Sequence, residues 1–256
     1  MYKIRRRPPL SQNFLHDRQL VKRLVRQASI ASQDTVIEIG PGKGIITGEL
    51  LAVARQVVAV EIDPELAKLL VAKFENHHNF VLFQEDILNF PYPMTKYKVV
   101  SNLPFAIEGE IVHELLDLSN PPEDMHVVVI KDVAERWVGA MKEGQFSLLH
   151  KPWFELKITH HFSLRDFVPI PKIRSVMFQA KKRAVPLVSD ERKKKYAAFI
   201  KAGFGGGRRI DQNLVKYFDR AELKKLAKMY NFSFNAQPSN LSFPQWLKLF
   251  DEVNRF

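Results

Sequence analysis

The chain has 256 residues, 46% of them apolar, enough for one α/β domain of usual size with a small appendage. It has no cysteine, which excludes disulfides, thiolate metal sites and a cysteine nucleophile. No apolar run has signal-peptide or membrane-spanning length, so a cytoplasmic protein that makes no use of a membrane is expected.

The formal charge of +11 is segregated: residues 1–26 carry +7, residues 181–228 carry +10, and the remainder is acidic at −6. Two basic segments flanking an acidic body predict a polyanionic partner. Nucleic acid is favoured over an anionic membrane because neither segment sets an interfacial apolar face beside its charges.

Tyr2 to Pro9, containing Arg5, Arg6 and Arg7, reads as an extended basic arm. Ser11-Gln12-Asn13-Phe14-Leu15 follows; by itself it says little, and its amides would read as simple caps were a glycine-rich loop not some thirty residues downstream. An amphipathic helix begins at Asp17, with Leu20, Val21, Leu24, Val25 and Ala28 facing inward. Strand 35–39 then runs into Glu38-Ile39-Gly40-Pro41-Gly42-Lys43-Gly44. Glycines at every second position permit a sharp turn, and they bare the backbone to a cofactor beside the N-terminus of a helix over 45–54. A turn with no ligand is the alternative. The spacing is not the G-x-G-x-x-G of dinucleotide folds; it resembles the S-adenosylmethionine (SAM) loop of Rossmann-like methyltransferases. Strand 57–62 carries Glu61, seventeen positions beyond Gly44, where an acid can accept both ribose hydroxyls of NAD or SAM alike, or merely precede the helix cap Asp63-Pro64.

Helix 64–76, strands 80–83 and 97–101, helix 107–118, strand 126–130 and a helix near 132–141 continue a wound, mostly parallel sheet. Strands 154–161 and 173–180 are joined by residues 162–172, too few for a crossover helix, so an antiparallel hairpin at the sheet edge is expected. That combination is an α/β fold with the Rossmann-like sheet of SAM-dependent methyltransferases. Helices over 190–203, 219–229 and 242–254 make a small all-α unit, too small to bury much alone. The expected division is a catalytic SAM-binding domain over 1–183 and a helical RNA-binding domain over 184–256, with Arg208 and Arg209 in a glycine-rich basic loop.

The fourth strand ends in Ser101-Asn102-Leu103-Pro104-Phe105, at the edge where open α/β sheets bind ligands. Adenine N6 is a poor nucleophile because its lone pair is delocalised into the ring. Acceptance of its two N–H groups by the Asn102 side-chain oxygen and the Leu103 carbonyl would aim the nitrogen at a methyl donor, with Pro104 fixing the backbone and Phe105 stacking on an unstacked base. Asn102 as a helix cap is the plain alternative. Glu85-Asp86-Ile87 ends the third strand, where Asp86 can accept a cofactor's amino group or cap a loop. Phe167-Val168-Pro169-Ile170-Pro171-Lys172 can present Phe167 to the other face of the base, or Phe167 can pack in the core. His77-His78 and His160-His161 are adjacent pairs that point apart on a strand, so no metal site is read.

With these residues in place, the sequence resembles the rRNA adenine-N6 dimethyltransferases, the superfamily of the Erm macrolide-resistance enzymes and the housekeeping small-subunit dimethyltransferases. Ser11 to Leu15, Glu38 to Gly44, Glu61, Glu85-Asp86, Asn102 to Phe105 and Phe167 to Lys172 match in the family's order. The resemblance implies SAM contacts from Gln12, Asn13, Leu15, Gly40, Gly42, Glu61, Ile62, Asp86, Ile87 and Asn102. It implies a reaction centre of Asn102, Leu103, Phe105 and Phe167, and RNA contacts from Arg5, Arg6, Arg7, Lys172, Arg208 and Arg209. The opening Ser-Gln-Asn-Phe-Leu and the closing Leu241 to Phe250 are most similar to Erm, which implies a metal-free monomer that methylates an adenine in the peptidyl-transferase loop of 23S rRNA and confers macrolide resistance. A housekeeping small-subunit enzyme and a non-catalytic RNA-binding protein on this fold are the alternatives.

Overall fold

A computed structural model describes residues 13–253. In chain order the first part comprises β1 (Phe14–Leu15), α1 (Arg18–Gln27), β2 (Thr35–Ile39), α2 (Ile45–Leu51), β3 (Gln56–Glu61), α3 (Pro64–Phe74), β4 (Phe80–Gln84), β5 (Lys98–Asn102), α4 (Glu108–Asp117) and β6 (Asp124–Ile130). After them come α5 (Lys131–Val138), α6 (Gln145–His150), β7 (Phe154–His161), β8 (Phe167–Val168) and β9 (Ser175–Lys182). The chain closes with α7 (Lys193–Gly203), α8 (Ile210–Asn213), α9 (Arg220–Met229) and α10 (Phe243–Val253).

The main sheet has seven strands in the order β4-β3-β2-β5-β6-β9-β7. The first five are parallel, and β9 runs antiparallel to β6 with Ser175 opposite Ile130. Between β7 and β9 the Phe162 N–H donates to the Ser175 carbonyl and Thr159 Oγ1 to the Met177 carbonyl, so one strand advances as the other retreats. The antiparallel hairpin expected at this edge is present. β2 is buried at all five positions, Thr35 and Glu38 included, because a central parallel strand has helices on both faces.

Strand order reverses between β2 and β5. They pair in parallel with Val36 opposite Lys98 and Ile37 opposite Val99. Further along, the Ile39 N–H donates to the buried Ser101 hydroxyl at 2.8 Å. A side-chain oxygen thus satisfies a backbone donor at the point where an open α/β sheet splays into a crevice.

Helix starts follow the sequence signals. Asp17 Oδ1 accepts from the N–H groups of Gln19 and Leu20, and Asp63 Oδ1 from those of Glu65 and Leu66, with Pro64 at the first helical position.

The chain forms two compact units, one of residues up to Lys131 with Lys157–Lys181, the other of Asp132–Leu156 with residues from Lys182 on. The expected division at 183/184 leaves Asp132–Leu156 with the sheet, whereas the structure groups it with the helices. Its α6 supplies the Leu148 carbonyl that accepts from Tyr196 Oη at 2.9 Å. The helical unit also buries more than its length suggested: Tyr196, Phe199, Trp246 and Phe250 are each no more than 1% exposed and meet mostly edge to face.

Candidate active site

A cleft lies along the carboxyl ends of β2, β3, β4 and β5. Gly40, Gly42, Glu61, Ile62, Glu85, Asp86, Ile87, Asn102, Leu103 and Phe105 all line it, so elements spread over sixty residues of sequence converge there. Asn13 and Phe14 complete the wall from the N-terminal side.

Each wall has a local cause. Gly40, Gly42 and Gly44 all have positive φ, at 62°, 58° and 75°, which is why non-glycine residues would strain this turn. At Gly42 the space a Cβ would fill is taken by the ring of Phe14, 2.6 Å from that position, and at Gly44 by Phe74. Two of the three glycines are therefore closed over by the protein's own rings. At Gly40 a Cβ would meet Pro104 Cδ at 3.9 Å, an ordinary contact with no clash.

Glu61 is 3% exposed; its two carboxylate oxygens accept from the N–H groups of Gly42 at 3.1 Å and Asp63 at 3.0 Å. Burial raises its pKa against these bonds. Glu38, on the adjacent strand, is fully buried and accepts from Thr47 Oγ1 at 2.6 Å. Burial pushes its carboxyl up to about 8, and the neighbouring Glu61 adds to the rise. Asp86 Oδ1 accepts from the Leu88 N–H at 3.2 Å, so the loop-cap reading of Asp86 holds while the residue also borders the cleft.

At the far wall Asn102 Nδ2 donates to the Asn13 carbonyl at 2.7 Å. Its Oδ1 is buried and has no hydrogen-bond partner among the described residues. A buried acceptor left open costs free energy, so its place at the wall of the cleft points to a donor that arrives with a ligand. Phe105 is half-buried at the same wall.

Two expectations are corrected. Phe167 does not reach the cleft: it is 1% exposed, packs edge to face on Phe162 at 5.4 Å and belongs to the core with Leu15, Leu24 and Met177. In β8 the alternation of a strand turns Phe167 inward and Val168 outward. Leu15 is likewise 4% exposed in that core, and it borders only a smaller recess shared with Glu38, Gly40 and Asn102. The ring that does stand over the glycine turn is Phe14, which sequence reasoning passed over although it lies in the same pentapeptide. Its strand, β1, pairs with β8, Phe14 opposite Val168 and Leu15 opposite Phe167. Gln12, Arg5, Arg6 and Arg7 lie outside the described residues.

The sequence matches the family described as ribosomal RNA adenine dimethylase over residues 3–255. The chain belongs to that family. Among its relatives is a protein of Nostoc sp. named ribosomal RNA small subunit methyltransferase A, 32% identical over 96% of this chain and 97% of that one. Another, from Bacteroides fragilis, is named rRNA adenine N-6-methyltransferase and is 29% identical over 94% of this chain and 91% of that one. The crystal structure of the 23S rRNA methyltransferase ErmE superposes with a TM-score of 0.86 at 28% identity, covering 94% of this chain and all of that one.

The remaining sequence-predicted residues of this family member are cationic. Lys172 and Arg208 are exposed. Arg209 is not equivalent to its neighbour: its guanidinium makes a bidentate pair with the Asp211 carboxylate, which raises the Arg209 pKa and lowers that of Asp211. The loop itself is held by Asn213, whose Nδ2 donates to the carbonyls of Gly203 and Gly207 and whose Oδ1 accepts from the Gly207 N–H. No helix among the described residues is long and apolar enough to cross a membrane.

Proposed function

We propose that this protein is a SAM-dependent methyltransferase acting on N6 of an rRNA adenine, and specifically one in the peptidyl-transferase loop of 23S rRNA, which would confer macrolide-type resistance. The observation that carries the reaction type is the open acceptor of Asn102, buried at the end of the fourth parallel strand. An exocyclic amino group is the donor it fits.

The cleft's residues suit SAM. Bare backbone at Gly40 would lie against its methionine part, Glu61 has lone pairs left for the ribose hydroxyls, Ile62 and Ile87 offer apolar contact to its adenine, and Asp86 can accept that ring's amino group. SAM supplies a cationic methyl donor. Asn102 Oδ1 and the Leu103 carbonyl would accept the two N6–H groups of the target, holding the nitrogen in line and returning electron density to it, while the half-buried Phe105 stacks on the base. No general base is needed before transfer, since the proton leaves once the nitrogen has become cationic.

The 23S branch is supported by the Ser11 to Leu15 and Leu241 to Phe250 segments and by the likeness to ErmE along nearly the whole chain. The relative from Nostoc favours the small-subunit branch. Incubation of the protein and labelled SAM with protein-free 23S rRNA, and separately with small-subunit particles, followed by primer extension, distinguishes them. A single modified adenine in the 23S peptidyl-transferase loop is the expected result. Label confined to adenines near the 3′ end of the small-subunit RNA would overturn the 23S assignment, and no label on either would overturn the enzyme.

A further inference from the structure

A second recess opens in the sheet unit between the β6–β9 strand ends and the loop after β7. Lys131, Arg165 and Arg174 border it, and Ser175 lies in its wall. These cationic residues come from three separate segments. The geometry is fixed by backbone bonds: the Lys131 N–H donates to the Arg174 carbonyl at 2.9 Å, and the Phe162 N–H to the Ser175 carbonyl at 3.1 Å. On the same loop the Asp166 carboxylate accepts from the Ser163 N–H at 2.8 Å. Ser175 is 2% exposed, and its hydroxyl has no hydrogen-bond partner among the described residues.

A buried hydroxyl left open in the wall of a recess bordered by cationic residues is a donor suited to an anion. Its place in the sheet says which anion. β6 runs parallel to β5, so Ile130 and Lys131 leave the sheet on the same edge as Asn102, and Ser175 lies opposite Ile130. Two strand spacings separate β9 from β5, about 10 Å at the usual distance between strands. That is the reach of one or two nucleotides from a base held at Asn102.

We infer that the recess bordered by Lys131, Arg165, Arg174 and Ser175 seats a backbone phosphate of the RNA strand beside the target nucleotide. The inference takes its polyanion from the methyltransferase reading. Such a contact positions the strand and carries no base information, so it would set the depth to which the target base enters the cleft.

The test uses the full chain and protein-free 23S rRNA that has been sparsely ethylated on its phosphates. Wild-type protein should fail to retain RNA ethylated at one phosphate close to the base that enters the cleft. The Arg165→Ala/Arg174→Ala variant should lose that block, and the slope of log affinity against log salt should fall by about 0.7 to 0.9, the value for one phosphate. Ser175→Ala is the sharper variant. Removal of an unsatisfied buried hydroxyl should leave thermal stability unchanged or raised, while RNA affinity falls roughly tenfold, the scale of one hydrogen bond to an anion. An unaltered ethylation pattern and salt slope in the double variant, or undiminished affinity in Ser175→Ala, would overturn the phosphate seat. Because the readout is binding, a seat that holds while no methyl is transferred would condemn the enzyme reading alone.

Discussion

The side-chain nitrogen of Asn102 donates to the backbone carbonyl of Asn13, and that one bond decides which end of the amide faces the cleft. Asn102→Ala removes one good bond together with one unsatisfied acceptor, so folding stability should change by no more than about 1 kcal/mol. Single-turnover methyl transfer should nevertheless fall by at least about a hundredfold, the scale of losing one preorganised polar group at a reaction centre. Asn102→Asp should be as inactive and less stable, since a carboxylate oxygen would then face the Asn13 carbonyl. Retention of wild-type turnover by either variant would remove Asn102 from the reaction.

Gly42 and Phe14 should show coupled energetics. Gly42→Ala imposes a left-handed backbone on an alanine and drives its Cβ into the Phe14 ring. Together these should cost about 2–3 kcal/mol in chemical denaturation. In a Phe14→Ala background only the backbone share, about 1 kcal/mol, should remain. Equal costs in both backgrounds would mean that the ring does not sit on the turn.

Glu38 should make stability depend on pH. Its folded pKa of about 8 stands above the ordinary carboxylate value of 4.5. Below pH 4.5 both folded and unfolded chains hold the proton. As pH rises from there the unfolded chain releases it first, so the favourable contribution drains away until the folded group also ionises near pH 8. Glu38→Gln keeps an acceptor for Thr47 and has no such dependence. The variant should match wild type near pH 4.5 and exceed it by an amount that grows to a few kcal/mol, on the order set by 1.36 kcal/mol per unit, at pH 8. Denaturation midpoints at four pH values decide it; a constant offset would show that Glu38 is ionised throughout.

The two loop arginines should separate. Arg208→Ala should weaken rRNA binding and flatten its salt dependence by about one phosphate's worth. Arg209→Ala, whose guanidinium already serves Asp211, should change that slope less and loosen the loop more. Filter binding across a salt series would expose the opposite order, which would mean that the Asp211 pair opens when RNA arrives.

Much of this site was legible in the sequence because its parts are local. A β-branched run ending in alternate glycines, an acid at the end of the next strand and Asp63-Pro64 before an apolar helix each carry their own signal, and the sheet brings them to one edge. What was not legible depends on partners far along the chain. β1 and β8 are two residues each and 150 residues apart, so neither has a period to detect. Without that pairing nothing tells Phe167 from a base-stacking ring, or shows that Phe14 takes the place of a Cβ at Gly42. Helix α6, at six residues, is shorter than any periodic pattern. The Arg209–Asp211 pair was within reach, since an acid two positions from an arginine in a turn is close enough to claim it.

The strap formed by β1 on β8 also imposes an order on synthesis. Asn13 leaves the ribosome long before Asn102, yet what fastens its segment is β8 and the Arg165 and Asp166 carbonyls, which bond His16. At about 5–20 residues per second, the interval between Asn102 and Phe167 is several seconds. Through that time the nascent chain has the parallel strands β2 to β5 made and the Asn102 amide unpinned. A ligand of this cleft therefore arrives too late to guide the growing chain, and stalled chains ending between residues 130 and 160 should remain open to proteolysis at Phe14 with or without SAM.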